Sequence, residues 1–145
     1  MGTLAVSVSL LALAISDVNP TADEALRTAK EIHVATQRKD GSWSKTAPVW
    51  FMYTDAAIYF STKASSYKAR RLRDGGPVRV SVGGPDGPTF EGRGSLVTDP
   101  ALIDRMASHY RQKYWIAWMG LFVPNKGRVA AGKTVIVKVV AATAP

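Results

Sequence analysis

The densest chemistry in the sequence lies at 59–72, where Ser61, Thr62, Ser65 and Ser66 are followed by Lys68, Arg70 and Arg71. Hydroxyls can donate to oxyanions, and ammonium and guanidinium groups add stronger, charge-assisted bonds. The pattern predicts a strand ending at Thr62, then a helix over 64–74 with Ser65 and Ser66 as candidate N-caps and a stop at Gly75-Gly76-Pro77. The first N–H groups of a helix lack internal partners, and its dipole favours negative charge there. Such a junction suits a phosphate monoester. It equally suits a serine cap on a basic, solvated helix face, and the spacing alone leaves both readings open.

Other chemistries find little support. The chain has no cysteine, so disulfides, thiolate metal sites and a cysteine nucleophile are excluded. His33 and His109 fit no metal-binding spacing. A single imidazole can still ligate haem, which keeps His109 as a candidate axial ligand. No serine stands in a nucleophile elbow.

The elements that must position the 59–72 segment follow from periodicity. A short helix is expected at 20–30, with Asp23 and Glu24 in its first turn. Period-two alternation from Ile32 stops at Asp40-Gly41, a hairpin signal, and the return strand runs over 43–53. Pro48 lies inside that strand and cannot donate to a ladder, so it belongs at an edge or bulge. A tight turn at Thr54-Asp55 leads to a third strand at 58–62, completing an expected meander. After the cationic helix come strands at 78–82 and 89–98, the latter with Gly92 and Gly94 marking a bulge or a close backbone approach. Asp99-Pro100 starts a long helix whose Ile103, Met106, Tyr110, Tyr114 and Ala117 share a face. A last strand occupies 134–140. Six antiparallel strands in one small domain avoid exposed edges by curling into a barrel, plugged here by two or three helices. The expectation is a mainly β domain over 21–145.

Two global features bear on partners. The net charge of +8 suits a polyanion: nucleic acid, an anionic membrane or a phosphorylated ligand. Residues 4–15 are apolar or small, too short for a transmembrane helix. No Lys or Arg precedes them, which disfavours a signal peptide and leaves an N-terminal extension over 1–20. A cytoplasmic protein is expected, with export the consequence if that run is a signal.

Taken in order, Pro48-Val49-Trp50-Phe51, Tyr59-Phe60-Ser61-Thr62 and Ser66-Tyr67-Lys68-Ala69-Arg70-Arg71-Leu72 resemble the central block of the pyridoxamine-phosphate-oxidase-like, flavin-binding split barrels. Val34-Ala35-Thr36 with Asp40-Gly41 is similar to that family's first hairpin. Glu91-Gly92-Arg93-Gly94 with Thr98-Asp99-Pro100 is similar to its next strand and long helix. The resemblance implies a split β-barrel holding FMN or a deazaflavin coenzyme, with haem less favoured. Lys68 would contact the coenzyme phosphate, beside Ser66 and Arg70. Ser61 and Thr62 would help bind the phosphate or ribityl chain. Val49, Trp50 and Phe51 would lie on the strand beside the ring, Trp50 on the opposite face from the other two.

The implied reaction is hydride transfer to a small organic acceptor, with no side chain needed as acid or base. The alternative is a non-catalytic flavin- or haem-binding protein. Only 141–145 follow Val140, where true pyridoxamine-phosphate oxidases carry a substrate-binding segment, so vitamin B6 oxidation is not expected. The family also implies a homodimer, and Tyr114, Trp115, Trp118, Leu121 and Phe122 form a cluster of the kind that fills interfaces. Nucleic acid and membrane are not expected partners.

Overall fold

A computed structural model of the protein describes residues 20–114 and 126–142. The apolar run at 4–15 and the candidate interface residues Trp115, Trp118, Leu121 and Phe122 lie outside them. In chain order the elements are α1 (Pro20–Thr28), β1 (Ile32–Thr36), β2 (Ala47–Val49), β3 (Met52–Thr54), β4 (Ala57–Lys63), α2 (Tyr67–Leu72), β5 (Gly76–Val82), β6 (Thr89–Val97), α3 (Pro100–Lys113), α4 (Lys126–Ala130) and β7 (Thr134–Ala141). The strands form one curled, wholly antiparallel sheet in the order β2-β1-β5-β6-β7-β4-β3. Among the described residues no helix is long and apolar enough to cross a membrane.

The expected class is found with one change of strand count, seven for six, and the extra strand replaces the meander. The expected return strand is two strands: β2 pairs with β1, whereas β3 pairs with β4 at the opposite edge of the sheet. Trp50 and Phe51 are the only residues between them. Three peptide units reach at most about 11 Å, so the two edges must curl toward each other. Pro48 sits on an edge strand, opposite His33, where its missing N–H breaks no ladder. The side-chain alternation survives the crossing. Val49, Phe51 and Tyr53 pack on the cluster built from Val34, Phe60 and Val80, while Trp50 and Met52 pack on the cluster under α3.

Local signals hold where geometry is local. Gly41 adopts φ +88° behind Asp40, whose carboxylate accepts from the Ser42 N–H and hydroxyl. Asp55 and Ala56, between the paired Thr54 and Ala57, both take positive φ, +53° and +59°. The right-handed twist of a two-residue hairpin demands this left-handed pair. A Cβ on Gly94 would lie 2.8 Å from Val78 Cγ2 and 3.1 Å from Leu72 Cδ1, so the bare backbone lets α2 seat on β6. The long-helix stripe is found as far as Tyr114: Ile103, Met106, Tyr110 and Tyr114 are buried with Ile136 of β7, and Ala117 lies outside the described residues. The short α4 had no sequence signal, since it contains Gly127 and buries no residue.

Candidate functional site

The cationic helix is shorter than its pattern suggested, because Ser66 caps it. Ser66 Oγ accepts from the Ala69 N–H at 3.1 Å and shares a hydrogen bond with Thr62 Oγ1, also at 3.1 Å. Of the two candidate caps, Ser66 is therefore the one used. Buried Ala69 and Leu72 face the sheet, which leaves Tyr67 and Arg70 exposed and Lys68 and Arg71 half-exposed.

Lys68 and Arg71 look into a groove of about 660 Å³ between α2, β1 and the β1–β2 hairpin. Ser66 and Tyr67 line the near wall, and Arg38, Ser44, Lys45 and Ala47 line the far one. The volume lies within the ordinary range for cofactor pockets. Arg71 is held in place, its guanidinium donating to Thr36 Oγ1 at 3.0 Å and lying 5.1 Å from the Tyr67 ring centroid. Arg38 is fixed by bonds to Ser42 Oγ and the Trp43 carbonyl. None of the lining residues is acidic. Four cations and two serine hydroxyls without a carboxylate form a donor set suited to a phosphate group.

The eight candidate residues divide. Lys68 and Ser66 line the groove, and Thr62 stands behind Ser66. Ser61, on β4 opposite Ile136, does not line it. Arg70 lies over the outer Tyr67 ring at 5.4 Å, and neither does it. Val49 and Phe51 face the barrel interior, where Phe51 is fully buried. Trp50 faces α3. Sequence reasoning missed Arg38, Ser44 and Lys45 and gave Arg71 no role of its own. The signal for Arg71 was its place within the quoted cluster; the hairpin residues come from 20 or more positions away in sequence and carried none.

The crossing itself is held by the last turn of α3. Tyr110 donates to the Trp50 carbonyl at 2.9 Å, and Lys113 Nζ donates to the Phe51 carbonyl at 3.2 Å. The Phe51 N–H donates to the Tyr114 hydroxyl at 3.2 Å, which in turn donates to the Lys30 carbonyl. The Trp50 ring stacks on Tyr114 at 4.0 Å and meets Tyr110 edge-on. Tyr114, one of the candidate interface residues, is thus committed to its own subunit's core, only 6% exposed. Burial pushes the Tyr114 phenol up to about 12, against the opposing pull of the Phe51 N–H. Burial, aided by the Lys30 charge, brings Lys113 down to about 8, although the Phe51 carbonyl and ring favour its ammonium form.

The comparisons agree with this architecture. A conserved hypothetical protein from Mycobacterium tuberculosis superposes with a TM-score of 0.61 at 23% identity, over 86% of this chain and 82% of that one. A structure described as an F420 reductase gives 0.55 at 24% identity, over 83% and 93%. The FAD and haem binding protein from Mycobacterium smegmatis gives 0.53 at 16% identity, over 86% and 70%. At these identities the likeness shows the fold alone. No curated protein matches the sequence. The family model described as pyridoxamine 5'-phosphate oxidase matches residues 18–144, nearly the whole described fold. The chain belongs to the pyridoxamine 5'-phosphate oxidase family.

Proposed function

We propose that the protein is a flavin- or deazaflavin-dependent oxidoreductase that reduces a small organic acceptor, with the coenzyme phosphate seated in the Lys68 groove. The observation that carries this reading is the groove's lining: Lys68, Arg71, Arg38 and Lys45 around Ser44 and Ser66, with no acid among them. Names borne by structural neighbours, F420 reductase and FAD and haem binding protein, support a coenzyme of this class. The family itself supports FMN.

In this reading the coenzyme supplies hydride transfer, and the protein supplies position and charge. Lys68 and Arg71 neutralise the phosphate, and the Arg71–Thr36 bond keeps the guanidinium aimed before the ligand arrives. Val49, Trp50 and Phe51 act through shape, since their side chains turn toward the core and α3 and leave backbone along the crossing. No carboxylate or imidazole lines the groove, so proton delivery falls to solvent or substrate. The protein acts as a homodimer, as the family resemblance implies. Light scattering that gives a monomer across the micromolar range contradicts that part.

Titrating FMN and the deazaflavin coenzyme separately into the protein tests the reading. One of them should show quenched fluorescence or a shifted absorbance band at micromolar concentration, and silence from both overturns it. Mixing the reduced complex with quinones or nitroaromatics then separates an enzyme from a carrier. A carrier binds without oxidation.

A further inference from the structure

A second concave site lies between α1, β3 and α3 and shares no residue with the Lys68 groove. It is a recess of about 220 Å³ whose walls include Arg27, Thr28, Lys30, Tyr53, His109 and Lys113. Past Tyr53, His109 and Gln112 it continues into a recess of about 300 Å³ that adds Arg105 and Ser108. Neither recess has an acidic lining residue.

The carboxylates nearest these walls are already engaged. Asp23 accepts from Arg27 and from the Tyr53 hydroxyl. Glu31 pairs with His33 at 2.9 Å, and Asp55 faces Arg105 at 3.8 Å. Two ammonium groups are nevertheless drawn to one place by backbone oxygens. Lys113 Nζ donates to the Phe51 carbonyl, and Lys30 Nζ donates to the Lys113 carbonyl at 3.0 Å. An ammonium has three donors, so each retains capacity for a further acceptor. Burial and the Lys30 charge lower Lys113, and burial and the Lys113 charge lower His109. Burial is the larger cause of both shifts, and in each a neighbouring ammonium adds to it.

We propose that this cleft binds a small oxyanion, a carboxylate or phosphate group, between Lys113, Lys30 and the His109 ring. An arriving anion meets preset donors, removes the repulsion between the two lysines and accepts from an imidazole. The inference does not depend on the coenzyme reading.

The chain has two histidines, so proton NMR of the ring signals gives one reporter in the cleft and one control. Inorganic phosphate, added at constant ionic strength against chloride, should shift the His109 signal saturably and raise its titration midpoint. His33, held by Glu31, should stay put. Acetate in a parallel titration distinguishes the sources: saturation by both ions supports a carboxylate-accepting site, and saturation by phosphate alone supports a phosphate site. Lys113→Met should weaken binding roughly tenfold, the loss of one charge-assisted hydrogen bond. Lys30→Met keeps the backbone carbonyl that Tyr114 uses and removes only the ammonium, and gives the same answer if Lys113→Met fails to fold. Lys68→Ala should leave the midpoint unchanged. An absent His109 shift, parallel unsaturable shifts of both histidines, an unaltered midpoint in the lysine variants, or its loss in Lys68→Ala overturns the proposal.

Discussion

The turn that ends α3 and the face of α2 that lines the groove use similar residues to opposite ends. At the first, Tyr110 and Tyr114 spend their hydroxyls, and Lys113 one of its three donors, on the backbone of Lys30, Trp50 and Phe51. Every bond there closes inside the protein, under a stacked Trp50. At the second, Lys68 and Arg71 keep donors turned toward a groove that offers them no carboxylate. Buried polar atoms left without partners cost about 1–3 kcal/mol each, so the first region must be complete to fold. The second is partly exposed, and water satisfies its donors until a ligand replaces it. The difference teaches where to look for function in a fold with no catalytic constellation: at polar groups the protein does not itself satisfy.

Substitutions can break that contrast. The largest expected effect is Tyr114→Phe, which leaves the Phe51 N–H and the Lys30 carbonyl without their partner. Two such losses in a buried setting amount to about 2–4 kcal/mol, read as a lower urea midpoint. A wild-type midpoint would mean that the α3 turn does not hold the crossing. On the other side, Lys68→Ala should leave stability unchanged and cost about 1.5–3 kcal/mol of coenzyme binding, a ten- to hundredfold rise in Kd. Arg73→Ala, at the exposed end of α2, should do much less. Equal, salt-screened losses at Lys68 and Arg73 would reduce the groove to a diffuse field.

A subtler change should come from pH. Lys113 has a folded pKa of about 8, below its ordinary 10.5, so the unfolded chain binds more protons between those values. Stability should therefore rise with pH from about 8, the cost of burying the ammonium being fully present below it. Above about 10 the raised Tyr114 acts in the opposite sense, because only the unfolded tyrosine ionises there. Lys113→Met should flatten the rise in urea midpoints between pH 8 and 10. The effect should be smaller than the shift suggests, since the side chain remains partly in water. Last, Ala56→Gly relieves a left-handed alanine and should raise stability by about 1 kcal/mol, the cost of that conformation for an L-residue. An unchanged melting temperature would show that unfolded-chain entropy cancels the gain.

Much of this was legible in sequence, and the division follows distance along the chain. Asp40-Gly41, the capping Ser66, the edge position of Pro48 and the close approach at Gly94 are local consequences of residue type. The α3 stripe was legible because its period is fixed by the helix. The splitting of the 43–53 strand was not, because nothing at Trp50 or Phe51 says that their neighbours pair with opposite edges. That choice is made by β1 on one side and β4 on the other. The groove was half legible for the same reason: Lys68 stood in a readable cluster, while Arg38, Ser44 and Lys45 are brought to it by the hairpin's fold.

The place of β7 in the sheet has a consequence for how the molecule is made. It is the last described strand in the chain, yet it lies between β6 and β4, pairing along its length with both. Its partner β4 ends at Lys63, and 70 intervening positions separate that residue from Thr134. Contacts of such separation form slowly, after a large loop entropy has been overcome. During synthesis β3–β4 and β2–β1–β5–β6 can assemble only as two ribbons with open edges, and the seam closes when β7 emerges from the ribosome. A nascent chain arrested before Thr134 should therefore protect the β3–β4 amides weakly against hydrogen exchange, and one lengthened by a C-terminal linker that carries Ala141 clear of the ribosome should protect them strongly. Until then the protein depends on whatever keeps bare strand edges from finding one another.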